Sequence, residues 1–411
     1  MYFISSDYDI PDIGYAEERV RETMCKGIYV RDISDKLKKF SQMASKASGD
    51  ISAIYGVANP RSAKQWAEFL EEQADPDIAE ACYDENKESW TTNKYALEGL
   101  VHKGYGFATD LLAYRKMASY ESAIKQLMEN MDSKRVLRPE VNRGVTNRFH
   151  YRNPGLMSIP KKLVWEVISP RHEGNVLFSI DIKNQEPWIM INMLGIESLR
   201  DRLSSENKDG LYNMVSMDIL GREPSEIERI EIKRAWNAMS YGASKAGILN
   251  MCKNTDGNAI YKYFNSFKEF KDYKQKCVVM GKRKVQTVET YFGSEVSTDE
   301  LGSRLWRVLM DLPIQGTGAD ILALLIQHFD EEVEKRDLGE AMEFYFSRHD
   351  EVIIEVSRDY YDALGIDEVT NVLRDIFAHS VDDWEPFTVE IKVLNGFEVD
   401  GSYVLDDEDE E

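Results

Sequence analysis

The sequence predicts an α+β fold in which a helical N-terminal part precedes two β segments held apart by a helical insertion. Three observations carry this. From Ile13 to about Leu127 apolar residues recur at three- and four-residue spacing, with few alternating β-branched runs. A short β run, Asn175-Val-Leu-Phe-Ser-Ile-Asp181, follows a Pro/Gly/Asn-punctuated segment. A second β unit, Glu343 to Val356, reads as two alternating halves that turn at Arg348-His349-Asp350-Glu351. Two β segments far apart in the chain make one core only if they pair, so residues at their ends converge.

Taken in order, the first region contains Ser62 to Leu70, where Pro60 precedes a helix start and Trp66, Phe69 and Leu70 form a buried stripe. Between the β segments the pattern is helical to about Phe270, then a basic patch (Lys271, Lys274, Lys276, Lys282, Arg283, Lys284), then a long apolar helix from about Gly318 to Glu334. Pro313 and Gly316 are expected to break the helix ahead of that stretch. The insertion is expected to be all-helical.

With 411 residues, 43% apolar and 30% charged, the chain supports two or three packed lobes, and the mixture excludes disorder and collagen-like order. No stretch approaches the ~18 consecutive apolar residues of a membrane span, and the first thirty residues lack the marks of a signal peptide. The expectation is no membrane and a cytoplasmic location. Cys25, Cys82, Cys252 and Cys277 are scattered without metal-ligand or disulfide spacing. The net charge, 51 − 73 = −22, argues on average against a polyanionic partner. The average misleads, because six acids form the terminal run 406–411, read as a solvated tail. Between Lys134 and Lys162, moreover, Lys134, Arg135, Arg138, Arg143, Arg148, Arg152, Lys161 and Lys162 face the single acid Glu140.

Four groups carry chemistry. Asp181 ends an apolar strand, with Glu186 at the start of the next helix, and a carboxylate at a strand end is a frequent metal-ligand position as well as an ordinary way to end a strand. Asp350 and Glu351 follow His349 in a hairpin, more polarity than a turn requires. Mg²⁺ needs only one or two carboxylates, so Asp181 with Asp350 would suffice for a two-metal phosphoryl-transfer centre. Ser225 and Glu228 have capping-box spacing, and on the helix they open Arg229, Lys233, Asn237 and Tyr241 recur every four residues. That face is either a phosphate clamp ending in a stacking ring or a solvated basic face beside Glu228 and Glu231. Gln315, with Arg307 upstream, is the kind of neutral hydrogen-bonder that can read minor-groove acceptors, or it lies in a plain helix connection.

Together these motifs resemble the family A DNA polymerases. The family's Asp-Tyr-Ser-Gln-Ile-Glu stands here as Asp181-Ile-Lys-Asn-Gln-Glu186, and its Arg-x3-Lys-x7-Tyr-Gly as Arg229, Lys233 and Tyr241-Gly242. Its Pro-Ile-Gln-Gly-Thr is Pro313 to Thr317, and its His-Asp-Glu is His349 to Glu351. Pro154-x-Leu156-x-x-Ile159-Pro160, Val288 to Gly293, Gly27-Ile-x-Val30 and Asn59-Pro-x-Ser62 extend the match along most of the chain.

The resemblance implies a right-hand polymerase fold with a helical thumb, an antiparallel-sheet palm and helical fingers. The expected division is a lead-in over 1–48, thumb 49–133, palm 134–200, fingers 201–303, palm again 304–405 and the acidic tail. Two Mg²⁺, for which Mn²⁺ could substitute, would be held by Asp181, Asp350 and the carbonyl of Ile182, with Glu351 in support. Arg229, Lys233, Asn237, Tyr241, Glu186 and Tyr212 would bind the dNTP, Glu186 with Tyr241 excluding a 2′-hydroxyl. Arg148, Arg307, Gln315 and His349 would grip primer-template DNA. A monomer in replication (phage-type) or repair is expected, with a replication accessory protein as a further partner. The alternatives are a single-subunit RNA polymerase, against which Glu186 argues, and a catalytically dead nucleic-acid-binding replication protein, which would be expected to lack one of the two acids.

Departures from the pattern are Ile182-Lys183 for Tyr-Ser, Asn237 for an aromatic ring, Asp311 for a frequent Asn, and Tyr212 in the place of a triphosphate-contacting histidine. Asp7-Tyr8-Asp9 reads as surface rather than as part of an exonuclease, and no editing domain is expected ahead of Gly27. Incubated with Mg²⁺ and a mispaired primer without dNTPs, the protein should leave the 3′ end intact; shortening that persists in Asp350→Ala would contradict this expectation.

Overall fold

A computed structural model of the chain describes residues 10–73, 75–84, 88–204, 210–252, 254–298, 305–378 and 389–395. Asp7 to Asp9 and the acidic run 406–411 lie outside these residues, as does the Arg307 side chain. The chain divides into two compact units, one of residues 29–137 with 158–168, the other of residues 1–28, 138–157 and 169–395. The first boundary between the units falls after residue 28, and the helix Ser34–Tyr55 runs unbroken across position 48.

The first unit is built on helices. Ser34–Tyr55, Ala63–Gln73, Pro76–Cys82, Lys94–His102 and Gly106–Asn130 surround a core of Trp66, Leu70, Leu97, Phe107 and Leu111. Trp66 is fully buried and its indole N–H donates to the Pro60 carbonyl at 3.0 Å, so the ring keeps a partner inside the core. Leu70 is buried beside it, while Phe69 lies half-exposed at the margin, edge-on to Tyr55 and Trp66.

The second unit opens with α1 (Ile13–Lys26) and the hairpin β1–β2 (Glu140–Arg143, Phe149–Arg152). Next come β3 (Val176–Ile182), α2 (Gln185–Leu194), α3 (Gly210–Leu220), α4 (Glu226–Ser240) and α5 (Lys268–Arg283). The chain continues through β4 (Thr287–Glu289), β5 (Glu295–Ser297), α6 (Leu305–Lys335), β6 (Met342–Arg348), β7 (Glu351–Val356), α7 (Ile366–Ala378) and β8 (Val389–Val393). One antiparallel sheet of order β6-β7-β3-β8 forms the centre.

Two expectations change here. The insertion is not wholly helical, since β4 and β5 pair as a two-stranded hairpin ahead of α6. The halves of the 343–356 unit do not alternate between core and solvent, because all six residues of β7 are buried and only Glu343 of β6 is not. β8, which completes the sheet beside β3, alternates Val389, Ile391 and Val393 with Glu390 and Lys392, a strand pattern that the sequence reading passed over.

The largest correction concerns α6, which is one helix of 31 residues with Pro313 inside it. An internal proline removes the N–H that would bond the carbonyl four residues back. That carbonyl, Leu309, instead accepts from Cys277 Sγ at 3.5 Å and Tyr273 Oη at 3.4 Å, while the same Tyr273 hydroxyl donates to Met310 O at 2.8 Å. Partners on α5 thus replace the missing donor, and the helix continues. Gly316 and Gly318 are needed for close approach: a Cβ on Gly316 would meet Thr290 at 2.8 Å, and one on Gly318 would meet Gln185 Oε1 at 2.9 Å.

By length and composition α6 could cross a membrane, but 83% of its apolar window is buried in the fold. Tyr15 Oη (2.7 Å) and Arg19 Nε (2.6 Å) both donate to its Asp330, fixing α1 against it. Tyr273→Phe should lower unfolding free energy by about 1–2 kcal/mol by stripping buried carbonyls of a donor. The loss should shrink in a Pro313→Ala background, where the restored N–H reaches Leu309. Chemical denaturation of the four-member cycle checks this, and equal losses in both backgrounds would contradict it.

Candidate active site

The site begins with strand register. In the β3–β7 pair Asp181 stands directly opposite Glu351, and in the β3–β8 pair it stands opposite Glu390. Directly opposed residues share a face, so three carboxylates line one end of the sheet. Asp350 is the residue before Glu351, in the two-residue turn whose other member, His349, has φ +52°. His is among the few side chains enriched in that left-handed region. Asp181, His349 and Asp350 are half-buried, whereas Ile182 and Glu351 are each 1% exposed.

The three acids are held differently. Glu351 accepts a short hydrogen bond from the Ser179 hydroxyl, so its carboxylate is fixed within the sheet. Glu390, which sequence reasoning missed, is paired with Lys183 at 3.3 Å and Lys392 at 2.9 Å. Asp181 lies near the end of β3 and Asp350 in the adjoining turn, both half-buried. The nearby donors, these carboxylates and the Ile182 carbonyl, are all oxygen, which suits a hard divalent cation such as Mg²⁺ or Mn²⁺.

Two residues separate β3 from α2, the second being Asn184 at φ +54°. This turn puts Glu186 on the first turn of α2, where its Oε1 accepts from Arg148 Nη2 at 2.6 Å and its Oε2 accepts a short bond from the Tyr241 hydroxyl. Tyr241 is the C-cap of α4. A second tie between the helices is Ser240 Oγ, 3.1 Å from Met190 Sδ. The strand-end acid and the basic helix are thus joined through one carboxylate.

Local chemistry explains α4. Ser225 and Glu228 form the capping box, and Glu228 is held down to about 2 by Arg222 and by the Ser225 N–H. Arg229, Lys233, Asn237 and Tyr241 are all half-buried along one face, and Ile230, Trp236 and Met239 are buried on others. Glu228 and Glu231, which could have neutralised the face, are engaged elsewhere: Glu231 is 5% exposed and accepts from Asn254 and Thr255. Lys233 Nζ sits 5.7 Å from the Tyr212 ring centroid, and the Tyr212 hydroxyl donates to Asn237 Oδ1 at 3.3 Å. Burial, then the charge of Glu186, pushes the Tyr212 phenol well up, with Arg229 opposing. Tyr212, Glu186, Arg229, Lys233 and Asn237 therefore share one neighbourhood.

On α6, Gln315 is half-buried and hydrogen-bonds Asp311 one turn earlier. Burial, then the Glu186 charge, lifts the Asp311 carboxyl to about 7, with Arg148 and the Gln315 bond pulling it down. Asp320, fully buried against Thr290, rises to about 6 through burial. Elsewhere His172, Glu343 and Glu355 have metal-ligand spacing. Arg171 lies 3.4 Å from Glu343 and 3.9 Å from Glu355, and Glu355 already accepts from Arg171 N, His172 N and Asn175 Nδ2. A guanidinium neutralises that group, so it does not present a cation site.

The fold is that of a polymerase domain: the solved POL domain of Pol1 from M. smegmatis, in complex with DNA primer-template and dNTP, matches 92% of this chain and 69% of its own with a TM-score of 0.75 at 21% identity. The model for DNA polymerase family A matches residues 30–396, and the chain belongs to that family. Curated relatives include DNA polymerase I of Aquifex aeolicus, 23% identical over 80% of this chain and 57% of that protein. DNA polymerase I of Rhizobium leguminosarum is 24% identical over 65% and 28%, and that of Caldicellulosiruptor bescii 24% over 90% and 44%. The chain thus spans about half or less of the length of these relatives.

The raised Asp311 gives a pH signature. Its folded form keeps the proton up to about 7, whereas the unfolded chain releases it near ~4. Its contribution to stability is complete below about pH 4 and lost as pH rises through 7. Asp311→Asn, neutral throughout, should therefore gain in Tm over the parent between pH 5 and pH 8. A difference that stays constant across that range would contradict the assignment.

Proposed function

We propose that the protein is a template-directed DNA polymerase that adds dNTPs to a primer 3′-hydroxyl. The observation that carries this is the register of β3 on β7, which sets Asp181 against Glu351 and beside Asp350, linked through Glu186 to the cationic face of α4. Phosphoryl transfer asks a protein for positioning and charge neutralisation rather than for a nucleophile. This site offers both.

Asp181, Asp350 and the Ile182 carbonyl hold the divalent ions, most simply two Mg²⁺. Bound there, such ions neutralise phosphoryl charge and make the 3′-hydroxyl a better nucleophile. Glu351, bonded to Ser179, keeps the strand end rigid beneath them. Arg229 and Lys233 receive the triphosphate, and Lys233 is steadied by the Tyr212 ring. Asn237, held by the Tyr212 hydroxyl, lies between the phosphate-binding cations and Tyr241, which packs on the nascent base pair. Glu186, anchored by Arg148 and Tyr241, forms the floor under the sugar, where a 2′-hydroxyl would meet a fixed carboxylate–phenol pair.

Arg148, Arg307, Gln315 and His349 contact primer-template near its terminus, the arginine guanidinium having N–H groups beyond the one given to Glu186. The reading extends to a monomer working in replication or repair in the cytoplasm.

Asp181→Ala and Asp350→Ala should each lower nucleotide incorporation by about a thousandfold or more while duplex affinity stays within a few-fold. Near-normal rates in both would remove the metal assignment. Glu186→Ala should raise rNTP incorporation relative to dNTP, and a parent enzyme that prefers rNTPs would favour an RNA polymerase instead. Lys233→Ala should raise the KM for dNTP with a smaller change in kcat, read in steady-state primer extension.

A further inference from the structure

The sheet face that carries Asp181 also carries cations able to compete for it. Alternate residues of an extended chain share a face, so Lys183, two positions after Asp181, points its side chain to the same side. The family pattern has serine at that position, so this lysine is particular to the present chain. On the neighbouring strand β8, Lys392 stands opposite Ser179, which makes it a diagonal neighbour of Asp181, within reach of a flexible four-carbon stem. An ammonium group seated on Asp181 would block the carboxylate that is to hold a divalent ion.

Glu390 engages both lysines. The register sets it directly opposite Asp181, on the side of β3 away from Glu351. Its Oε1 lies 3.3 Å from Lys183 Nζ and its Oε2 lies 2.9 Å from Lys392 Nζ, one oxygen for each lysine. Glu351, the acid on the other side of Asp181, is already bonded to the Ser179 hydroxyl. The Lys183 and Glu390 side chains are 50% and 32% exposed, and ion pairs so open to water add little to stability. The β3–β8 ladder holds this edge of the sheet in any case. What the pairing does control is where two ammonium groups sit.

We propose that Glu390 is a positioning residue for the cation site: it holds Lys183 and Lys392 off Asp181 and so leaves that carboxylate to the divalent ion. The inference rests on the reading of Asp181 as a metal ligand. Glu390 acts through the two lysines and does not itself ligate the ion.

The test is Mn²⁺ binding to the full chain with primer-template and a non-hydrolysable dNTP, followed by electron paramagnetic resonance of the free ion. Four proteins form a cycle: the parent, Glu390→Gln, Lys183→Met/Lys392→Met, and the triple variant. Glu390→Gln, nearly isosteric, should raise the Mn²⁺ Kd about tenfold, the scale on which residues supporting a metal site act. Adding the lysine substitutions should return Kd to within about twofold of the parent, whereas the same substitutions in the parent should change it by no more than about twofold, because there the lysines are already held. Equal fold-changes in the two backgrounds would overturn the proposal, since the charges would then act only through their summed field. So would an unchanged Kd in Glu390→Gln. A loss that the lysine substitutions fail to recover would also overturn it, making Glu390 a ligand or a structural support, and recovery in the triple variant rules out misfolding as the cause. Asp181→Asn checks the metal reading separately. If it removes no tightly bound Mn²⁺, that reading fails and the proposal falls with it; Asp181-dependent Mn²⁺ with an additive cycle sinks the Glu390 assignment alone.

Discussion

The pairing of β3 with β7 is the constraint on which the rest depends. A sheet with one wet face fixes its register through its apolar pattern, because a slip of one residue turns that pattern inside out. Here almost every residue of β3 and β7 is buried, so apolar matching tolerates a slip and polar ties must set the register. At one end Ser179 bonds Glu351 across the pair. At the other, the carboxylate of Glu355 collects Arg171 N, His172 N and Asn175 Nδ2 from the segment leading into β3. Tyr151 adds a bond from β2 to the Ser347 carbonyl at 2.6 Å, holding β6 as well. These bonds put Asp181 and Asp350 at the same end of the sheet although 168 residues separate them in the chain, 350 − 181 less one.

What was legible in the sequence was local chemistry. The strand carrying Asp181, which runs one residue past it to Ile182, the capping box at Ser225 and Glu228, and the turn at His349 each rest on residues within a few positions of one another, and each stands close to where the pattern indicated. What was not legible came from partners distant in sequence. Pro313 reads as a helix breaker, and only the donors on a separate helix, Tyr273 Oη and Cys277 Sγ, show why it is not one. Glu390 sits on a short alternating strand, but its alignment with Asp181 is a pairing of residues far apart in the chain, which no local pattern records. The link from Tyr212 to Asn237 depends on α3 packing beside α4, which periodicity does not reveal.

Electrostatics organise the site on a second level. Glu186 collects Arg148 and Tyr241, and its charge is felt by the Tyr212 phenol and the Asp311 carboxyl. Acids that could weaken the α4 cations, Glu228 and Glu231, are bound to Arg222 and to Asn254 and Thr255. A chain of strongly negative total charge thereby keeps local positive surfaces on α4 and α5. Net charge describes solubility and long-range steering, and it says little about a surface whose acids are already occupied.

The central claim is that Asp181 and Asp350 form one cation site. Electron paramagnetic resonance of Mn²⁺, titrated into the protein with primer-template and a non-hydrolysable dNTP, tests it without any catalytic step. The account predicts that Asp181→Asn and Asp350→Asn each remove the tightly bound Mn²⁺ signal, and that the double variant loses no more than either single one. Retention of full Mn²⁺ occupancy in either single variant would contradict it.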